Sequence, residues 1–288
     1  MSVNIQTIKD IRKLIKAELS PLYPDREIRS LTDIIIKTLL GASRLHLLSQ
    51  PEMVVPEEKT KRIKEITAEL KRGRPLQYIL GETVFYGCPL RVNEHTLIPR
   101  QETEELVDLI IKENRGYNGD VTDLGTGSGC IAIALAKNLP GTHVTAIDIS
   151  TEALETAMRN AADNAVTVSF LKADILVPDK LTCKPAGIIV SNPPYVRESE
   201  KNMMHRNVLD HEPHGALFVP DNDPLMFYRA ILEASRILLI PAGRIYFEIN
   251  EAMGSLVVSL AESYHLKNIE IINDLNGKER FVKGEKNG

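Results

Sequence analysis

The chain has 288 residues, 43% hydrophobic and 26% charged, with a formal net charge of -4. That length favours two domains and supports a sizeable core. The sequence pI of about 6.0 argues against a protein that coats nucleic acid, which would show a basic face, so no direct nucleic-acid binding is expected. No run is long enough to span a membrane, and the N-terminus shows neither a secretion signal nor an Arg/Ser-rich leader. Cys88, Cys130 and Cys183 lack paired spacing, which suits buried thiols in a reducing cytoplasm. A cytoplasmic monomer without membrane contact is expected.

Residues 1–80 read as a small helical bundle. Ile5, Ile8, Ile11, Ile15 and Leu19 recur at helical spacing until Pro21 and Pro24 interrupt them. Ile28, Leu31, Ile35 and Leu39 form a second face, and Leu45, Leu47 and Leu48 continue past Gly41. Pro56-Glu57-Glu58 opens a third helix carrying Ile63, Ile66 and Leu70 to Gly73. The bases Lys59, Lys61, Arg62, Lys64, Lys71, Arg72 and Arg74 outnumber nearby acids. They make either a solvated face or a docking surface for an acidic or nucleic-acid partner.

From Gly81 to about residue 97 the period shortens. The runs 83–86 and 90–92, separated by Gly87-Cys88-Pro89, predict a hairpin linking two domains. Pro99 and the acids after it suit a helix N-terminus before the apolar face Leu106, Val107, Ile110 and Ile111. Taken alone, Arg100 and Glu104 read as capping and surface charge. After Gly119, strands and helices alternate: strand 121–124, helix 131–136, strand 143–147, helix 152–164, and strands 166–171 and 187–190. A helix over 224–239 leads through Pro241-Ala242-Gly243 to a strand over 244–249, then a helix over 251–264 and strands over 268–273 and 279–283. Residues 284–288 are expected to fray. Such alternation predicts an α/β fold with a parallel doubly wound sheet over residues 98–288.

Three features of that region carry chemistry. The loop Gly125-Thr126-Gly127-Ser128-Gly129 lies between a strand and its helix, where glycines admit a ligand and the helix start offers free N–H groups. Its spacing differs from the dinucleotide fingerprint, so a nucleoside without pyrophosphate is expected. Asp148, at the next strand end, is placed to accept from ribose hydroxyls, and Asp174, after the third strand, to contact an adenine amino group or to serve only as a loop acid. Asn192-Pro193-Pro194-Tyr195 then closes an apolar strand. The prolines lack N–H groups and hold the chain extended, leaving carbonyls as acceptors. With the Asn192 amide oxygen they can grip both hydrogens of a planar NH2 group, while the Tyr195 ring lies against its plane. A nucleoside donor facing a grip for NH2 suggests S-adenosylmethionine and methyl transfer to nitrogen. His205, His211 and His214, with Asp210 and Glu212, do not have a metal-ligand spacing; that segment is expected to cover the site, and no metal is expected.

These residues resemble the release factor glutamine methyltransferases, the PrmC/HemK family, over nearly the whole chain. The likeness is carried by residues 75–81, the hairpin with Phe85 and Gly87, residues 99–104 (Pro-Arg-Gln-Glu-Thr-Glu) and Asp123 to Gly129. It extends to Asp148, Asn192 to Tyr195, Glu212-Pro213 and residues 274–280. The resemblance implies a Rossmann-like seven-stranded class I methyltransferase sheet with an antiparallel last strand, joined by the hairpin to a substrate-docking helical bundle. It implies methylation of the side-chain amide nitrogen (N5) of the glutamine in the Gly-Gly-Gln motif of class 1 peptide chain release factors. Gly125 to Gly129 and Asp148 would hold S-adenosyl-L-methionine, Asn192 would touch donor and glutamine, and Pro193 to Tyr195 would hold the glutamine. Ile175 stands where the family often has Trp beside the adenine, and Gln101 replaces a common Pro. An adenine N6-methyltransferase shares Asn-Pro-Pro-Tyr and is the alternative reading. A binding factor that retains the fold without catalysis would fail to bind the donor.

Overall fold

The computed structural model describes residues 7–41 and 49–288. It divides into two units, residues 1–80 and 81–288. In the first, α1 (Ile8–Leu19) starts at a reciprocal cap: Thr7 Oγ1 accepts from the Asp10 N–H, and the Asp10 carboxylate accepts from the Thr7 N–H. Its buried stripe is Ile8, Ile11, Ile15 and Leu19, the spacing that periodicity predicts. α2 (Asp25–Leu40) and α3 (Glu57–Lys71) complete the core with Ile28, Ile35, Ile36, Ile63, Ile66 and Leu70, and Leu31 and Leu39 pack against it half-buried. The short helix α4 is Leu76–Leu80. Ile5, Leu45, Leu47 and Leu48 lie outside the described residues. Part of the basic character of α3 and its flank is neutralised within the unit, since Arg62 pairs with Glu65, Lys71 with Glu18 and Arg74 with Glu69.

The second unit begins with the hairpin β1 (Glu82–Phe85) and β2 (Cys88–Arg91). Its turn is tighter than the sequence spacing suggests: Phe85 pairs with Cys88, and only Tyr86 and Gly87 lie between them. Both have positive φ, 46° and 73°, the geometry that matches strand twist in a two-residue turn. Tyr86 is a bulky side chain in this conformation, and two groups hold it there. Its N–H donates to Glu104 and its hydroxyl to Asp108.

The sheet strands are β3 (Asp120–Leu124), β4 (His143–Asp148), β5 (Val168–Lys172), β6 (Ala186–Ser191), β9 (Leu239–Glu248), β10 (Leu266–Asn273) and β11 (Glu279–Lys286). Between β6 and β9, β7 (Val196–Arg197) and β8 (Phe218–Val219) form a separate short pair. The seven sheet strands lie in the order β10-β11-β9-β6-β3-β4-β5. Pairing is parallel from β9 through β5, while β11 runs antiparallel to both its neighbours. The expected α/β architecture with an antiparallel last strand is present. β6 is buried along its whole length, as a central parallel strand covered on both faces must be.

The helices of this unit are α5 (Gln101–Glu113), α6 (Cys130–Asn138), α7 (Thr151–Asp163), α8 (Arg206–Leu209), α9 (Met226–Leu238) and α10 (Gly254–Ser263). One apolar cluster joins the hairpin, α5 and α6 to the sheet, and a second joins α9 and α10 to it. Two expectations change. Pro241-Ala242-Gly243 is not a connection before the strand but a bulge within β9: Ala186 pairs with Leu239 and Ile188 with Arg244, and Ala242 has φ 59°. Residues 284–286 do not fray, because Gly284 and Glu285 pair with Ile245 and Arg244. Among the described residues no helix is long and apolar enough to cross a membrane.

Candidate active site

The carboxyl ends of β3, β4, β6 and β9 meet around the strand-order switch between β3 and β6, where open α/β sheets bind ligands. At β3 the glycine-rich loop folds back onto β4, with the Gly125 and Thr126 N–H groups both donating to the Ile147 carbonyl at 2.9 and 3.0 Å. Asp148 continues the clamp: its carboxylate accepts from the Gly127 N–H at 2.8 Å and the Ser150 N–H at 2.9 Å. A carboxylate has about four lone-pair sites, so acceptor capacity remains on this half-buried group.

Below the loop, Asp123 is fully buried. One oxygen accepts from the Thr126 hydroxyl at 2.6 Å. The other, with Ser128 Oγ, is buried without a hydrogen-bond partner among the described residues. Burial, reinforced by the Asp148 charge, pushes the Asp123 carboxyl up to about 7. Burial also pushes the neighbouring Cys130 thiol up to about 12, so it stays protonated and packs as an inert side chain.

The raised Asp123 carboxyl makes a signed prediction. The folded state binds this proton more tightly than the unfolded chain, so the associated stability is present at low pH and lost as pH rises from about 4 through 7. Three pKa units correspond to roughly 4 kcal/mol, an order-of-magnitude figure. Asp123→Asn removes the buried charge but strands an amide N–H, which costs about 1–3 kcal/mol. Wild type is therefore expected to melt higher than Asp123→Asn near pH 5, and the variant higher near pH 8. Thermal unfolding of donor-free protein at both pH values checks this; the same rank order at both would contradict it.

Asn192 follows β6 directly and is set beside the loop by Ser191, whose hydroxyl donates to the Leu124 carbonyl at 2.6 Å. Asn192 Nδ2 donates to Thr103 Oγ1 at 3.1 Å, and Thr103 donates to Glu248 at 2.7 Å. Tyr195 donates to the other Glu248 oxygen at 3.0 Å, and the Tyr228 hydroxyl donates to the Glu248 carbonyl at 3.0 Å. Burial pushes the Glu248 carboxyl up, opposed by the Thr103 and Tyr195 hydrogen bonds and by the nearby Arg280 charge. Burial, then the Glu248 charge, holds the Tyr195 hydroxyl well above the usual tyrosine range, so it remains a donor. The Asn192 amide oxygen and the Pro193 carbonyl accept no hydrogen bond from the described residues.

The remaining motif residues have structural work. Asp174 accepts from the Leu176 N–H at 2.8 Å and so shapes its own turn. That turn buries Ile175, whose Cδ1 would lie 3.6 Å from a Cβ placed on Gly125. Arg100 and Glu104 are not merely capping and surface charges. Arg100 pairs at 2.6 Å with buried Glu212, which also accepts from the Ile98 N–H at 3.1 Å and so ties the 205–214 segment to the start of α5. Glu104 holds the hairpin turn through Tyr86. Asp274 accepts from the Asn276 and Lys278 N–H groups at 2.9 and 3.0 Å, and the Arg280 guanidinium lies 3.3 Å from it.

Sequence reading missed Glu248 and Asn160. Asn160 is buried on α7, exchanges hydrogen bonds with the Arg91 backbone and donates to the Ser128 carbonyl at 2.9 Å, joining the hairpin to the glycine-rich loop. Its only local signal is an amide on a buried helix face otherwise made of Ala, Leu and Thr. No group of three or more His, Cys, Asp or Glu among the described residues has a metal-holding geometry.

Residues 10–81 match the family described as PrmC N-terminal domain, and residues 102–235 match the Methyltransferase small domain. The chain is 46% identical to a release factor glutamine methyltransferase of Flavobacterium psychrophilum over 96% of this chain and 98% of that protein. It is 43% identical to one of Bacteroides thetaiotaomicron over 94% of this chain and 98% of that protein. The chain belongs to the release factor glutamine methyltransferase family. One of Bacillus subtilis, at 34% identity, covers 96% of this chain and 97% of that protein. A methyltransferase structure from Pyrococcus furiosus, 16% identical with a TM-score of 0.51, covers 81% of this chain and all of that one and shares the fold.

As a methyltransferase of this family the chain uses S-adenosylmethionine as its methyl donor. The site suits that molecule. Nothing lies within 4 Å of a Cβ position on Gly127, which leaves room beside the loop, and the adjoining Asp148 carboxylate keeps acceptor capacity.

Proposed function

We propose that this protein transfers the methyl group of S-adenosylmethionine to the side-chain amide nitrogen of the glutamine in the Gly-Gly-Gln motif of class 1 peptide chain release factors. The observation that carries the proposal is the pair of unengaged acceptors, Asn192 Oδ1 and the Pro193 carbonyl, next to a glycine-rich loop and braced by Tyr195. Two acceptors match the two hydrogens of one NH2 group. The names of the relatives support glutamine as the bearer of that group.

In this reading Gly125, Thr126, Gly127, Ser128 and Gly129 hold the donor, and Asp148 accepts from its ribose. Asp174 and Ile175 border its adenine. Asn192 and Pro193 hold the glutamine NH2, with Pro194 keeping the strand tip extended and Tyr195 flanking the amide. When bound, the donor supplies an electrophilic methyl on a sulfonium, so these residues need only align and dehydrate the acceptor. The nitrogen would bond to the methyl carbon as the carbon–sulfur bond breaks, and one N–H proton would leave to water after transfer, when the site reopens. Release factors would dock on residues 1–80, a role supported by the match of residues 10–81 and by the exposed bases of α3. We further propose a monomer acting in the cytoplasm without direct nucleic-acid contact. The names of these relatives do not favour the adenine reading.

Mass spectrometry of a release factor incubated with this protein and S-adenosylmethionine tests the proposal. One methyl on the Gly-Gly-Gln glutamine is expected. Its absence, with donor binding demonstrated by calorimetry, would move the acceptor elsewhere.

A further inference from the structure

Asn192 can serve as an acceptor only if its amide is turned with the oxygen outward. An amide rotated by 180° would present its NH2 to the substrate NH2 and repel it. Such orientations are decided by hydrogen-bond partners. Here the partner is Thr103, 2% exposed, and behind it Glu248, 1% exposed. Glu248 accepts from the Tyr195 hydroxyl and, at 2.7 Å, from Thr103, which spends its single hydroxyl hydrogen there. The Thr103 lone pairs then face Asn192 at 3.1 Å and can take only the Asn192 NH2. The second Glu248 oxygen is occupied by the Tyr195 hydroxyl at 3.0 Å, which fixes the carboxylate plane. Each donor and acceptor in the chain is thereby assigned.

We infer that Glu248 and Thr103 are positioning residues that set the amide of Asn192 with its oxygen toward the substrate, and so make the site select an NH2 donor over an isosteric carboxylate. Neither touches the substrate. The selectivity rests on the glutamine reading proposed above, whereas the orientation does not.

Glu248→Gln gives the sharpest test because it reverses the relay. A glutamine at 248 can accept from Tyr195 with its oxygen and donate to Thr103 with its NH2. Thr103 then turns its hydrogen to Asn192, whose oxygen swings inward. The turnover number on the Gly-Gly-Gln substrate should fall by about 10²-fold while donor affinity is unchanged. A release factor carrying Glu in place of the acceptor Gln should compete about tenfold better against Glu248→Gln than against wild type. Thr103→Val should lose rate without inverting the preference, and Thr103→Ser should recover it.

Loss of rate in Glu248→Gln with an unchanged Gln-to-Glu preference would mean a packing role and overturn the inference, as would wild-type kinetics in both variants. The second measurement needs no substrate. The side-chain NH2 of Asn192 should be protected from hydrogen exchange in donor-free wild type and lose that protection in Thr103→Val; equal protection in both would overturn the relay by itself. Absence of glutamine methylation by wild type, with protection intact, would count against the proposed acceptor and leave the orientation standing.

Discussion

Replacing Asn192 by alanine is expected to lower methyl transfer by about 10²- to 10³-fold, the loss seen when one preorganised hydrogen-bonding group is taken from a reacting centre. Two things go at once. The substrate NH2 loses its side-chain acceptor, and Thr103 Oγ1 loses the donor 3.1 Å away. The fold should survive, because Asn192 is only half-buried and the strand end is held independently by Ser191 on the Leu124 carbonyl. Donor binding should stay measurable, since the glycine-rich loop and Asp148 are clamped to each other without Asn192. Single-turnover kinetics beside calorimetry of donor binding separates the two effects. Unchanged turnover in Asn192→Ala would remove the residue from its proposed role.

The second large effect separates two glycines of one loop. Gly129 has φ 81°, and a Cβ there would stand 3.0 Å from Ala157 Cβ and 3.3 Å from the Ala157 backbone. Gly129→Ala therefore combines left-handed strain of about 1–2 kcal/mol with a collision against α7 that a helix backbone cannot relieve cheaply, for a total of roughly 2–4 kcal/mol. A clear fall in melting temperature is expected. Gly127, φ 54°, has nothing within 4 Å of its Cβ position. Gly127→Ala should fold with only the strain term, yet place a methyl in the space beside the loop and weaken donor binding about tenfold or more. Thermal unfolding and donor calorimetry on both variants decide the matter. A donor-binding defect without destabilisation in Gly129→Ala, or undiminished donor affinity in Gly127→Ala, would contradict the assignment.

The two variants also illustrate how local patterns differ from spatial ones. The glycine spacing is visible in the residues, and the expectation of a ligand cradle comes from it. Which glycine faces open space and which faces α7 depends on Ala157, a residue of another helix. Glu104 makes the same point: beside Pro99 it resembles an ordinary helix-start acid, but its partner is the Tyr86 N–H in the hairpin turn. The bulge at Ala242 likewise reads as a turn signal, because a positive φ is equally consistent with ending a strand or kinking one.

Short-range periodicity belongs to the chain itself. The helical spacing of Ile8, Ile11, Ile15 and Leu19, the alternation of strand and helix after Gly119, and the Asn192 to Tyr195 tip were all legible because each depends on residues within a turn or two of one another. Glu248 was not legible. Its neighbours in the chain mark it only as the end of an apolar strand, and its partner Thr103 lies 145 residues away. Parallel pairing of β6 with β9 brings the ends of the two strands side by side, so the carboxylate meets Thr103 and Tyr195 only after the sheet has formed. Hydrogen bonds act over about 3 Å, so which groups share one is decided by tertiary packing and not by order along the chain.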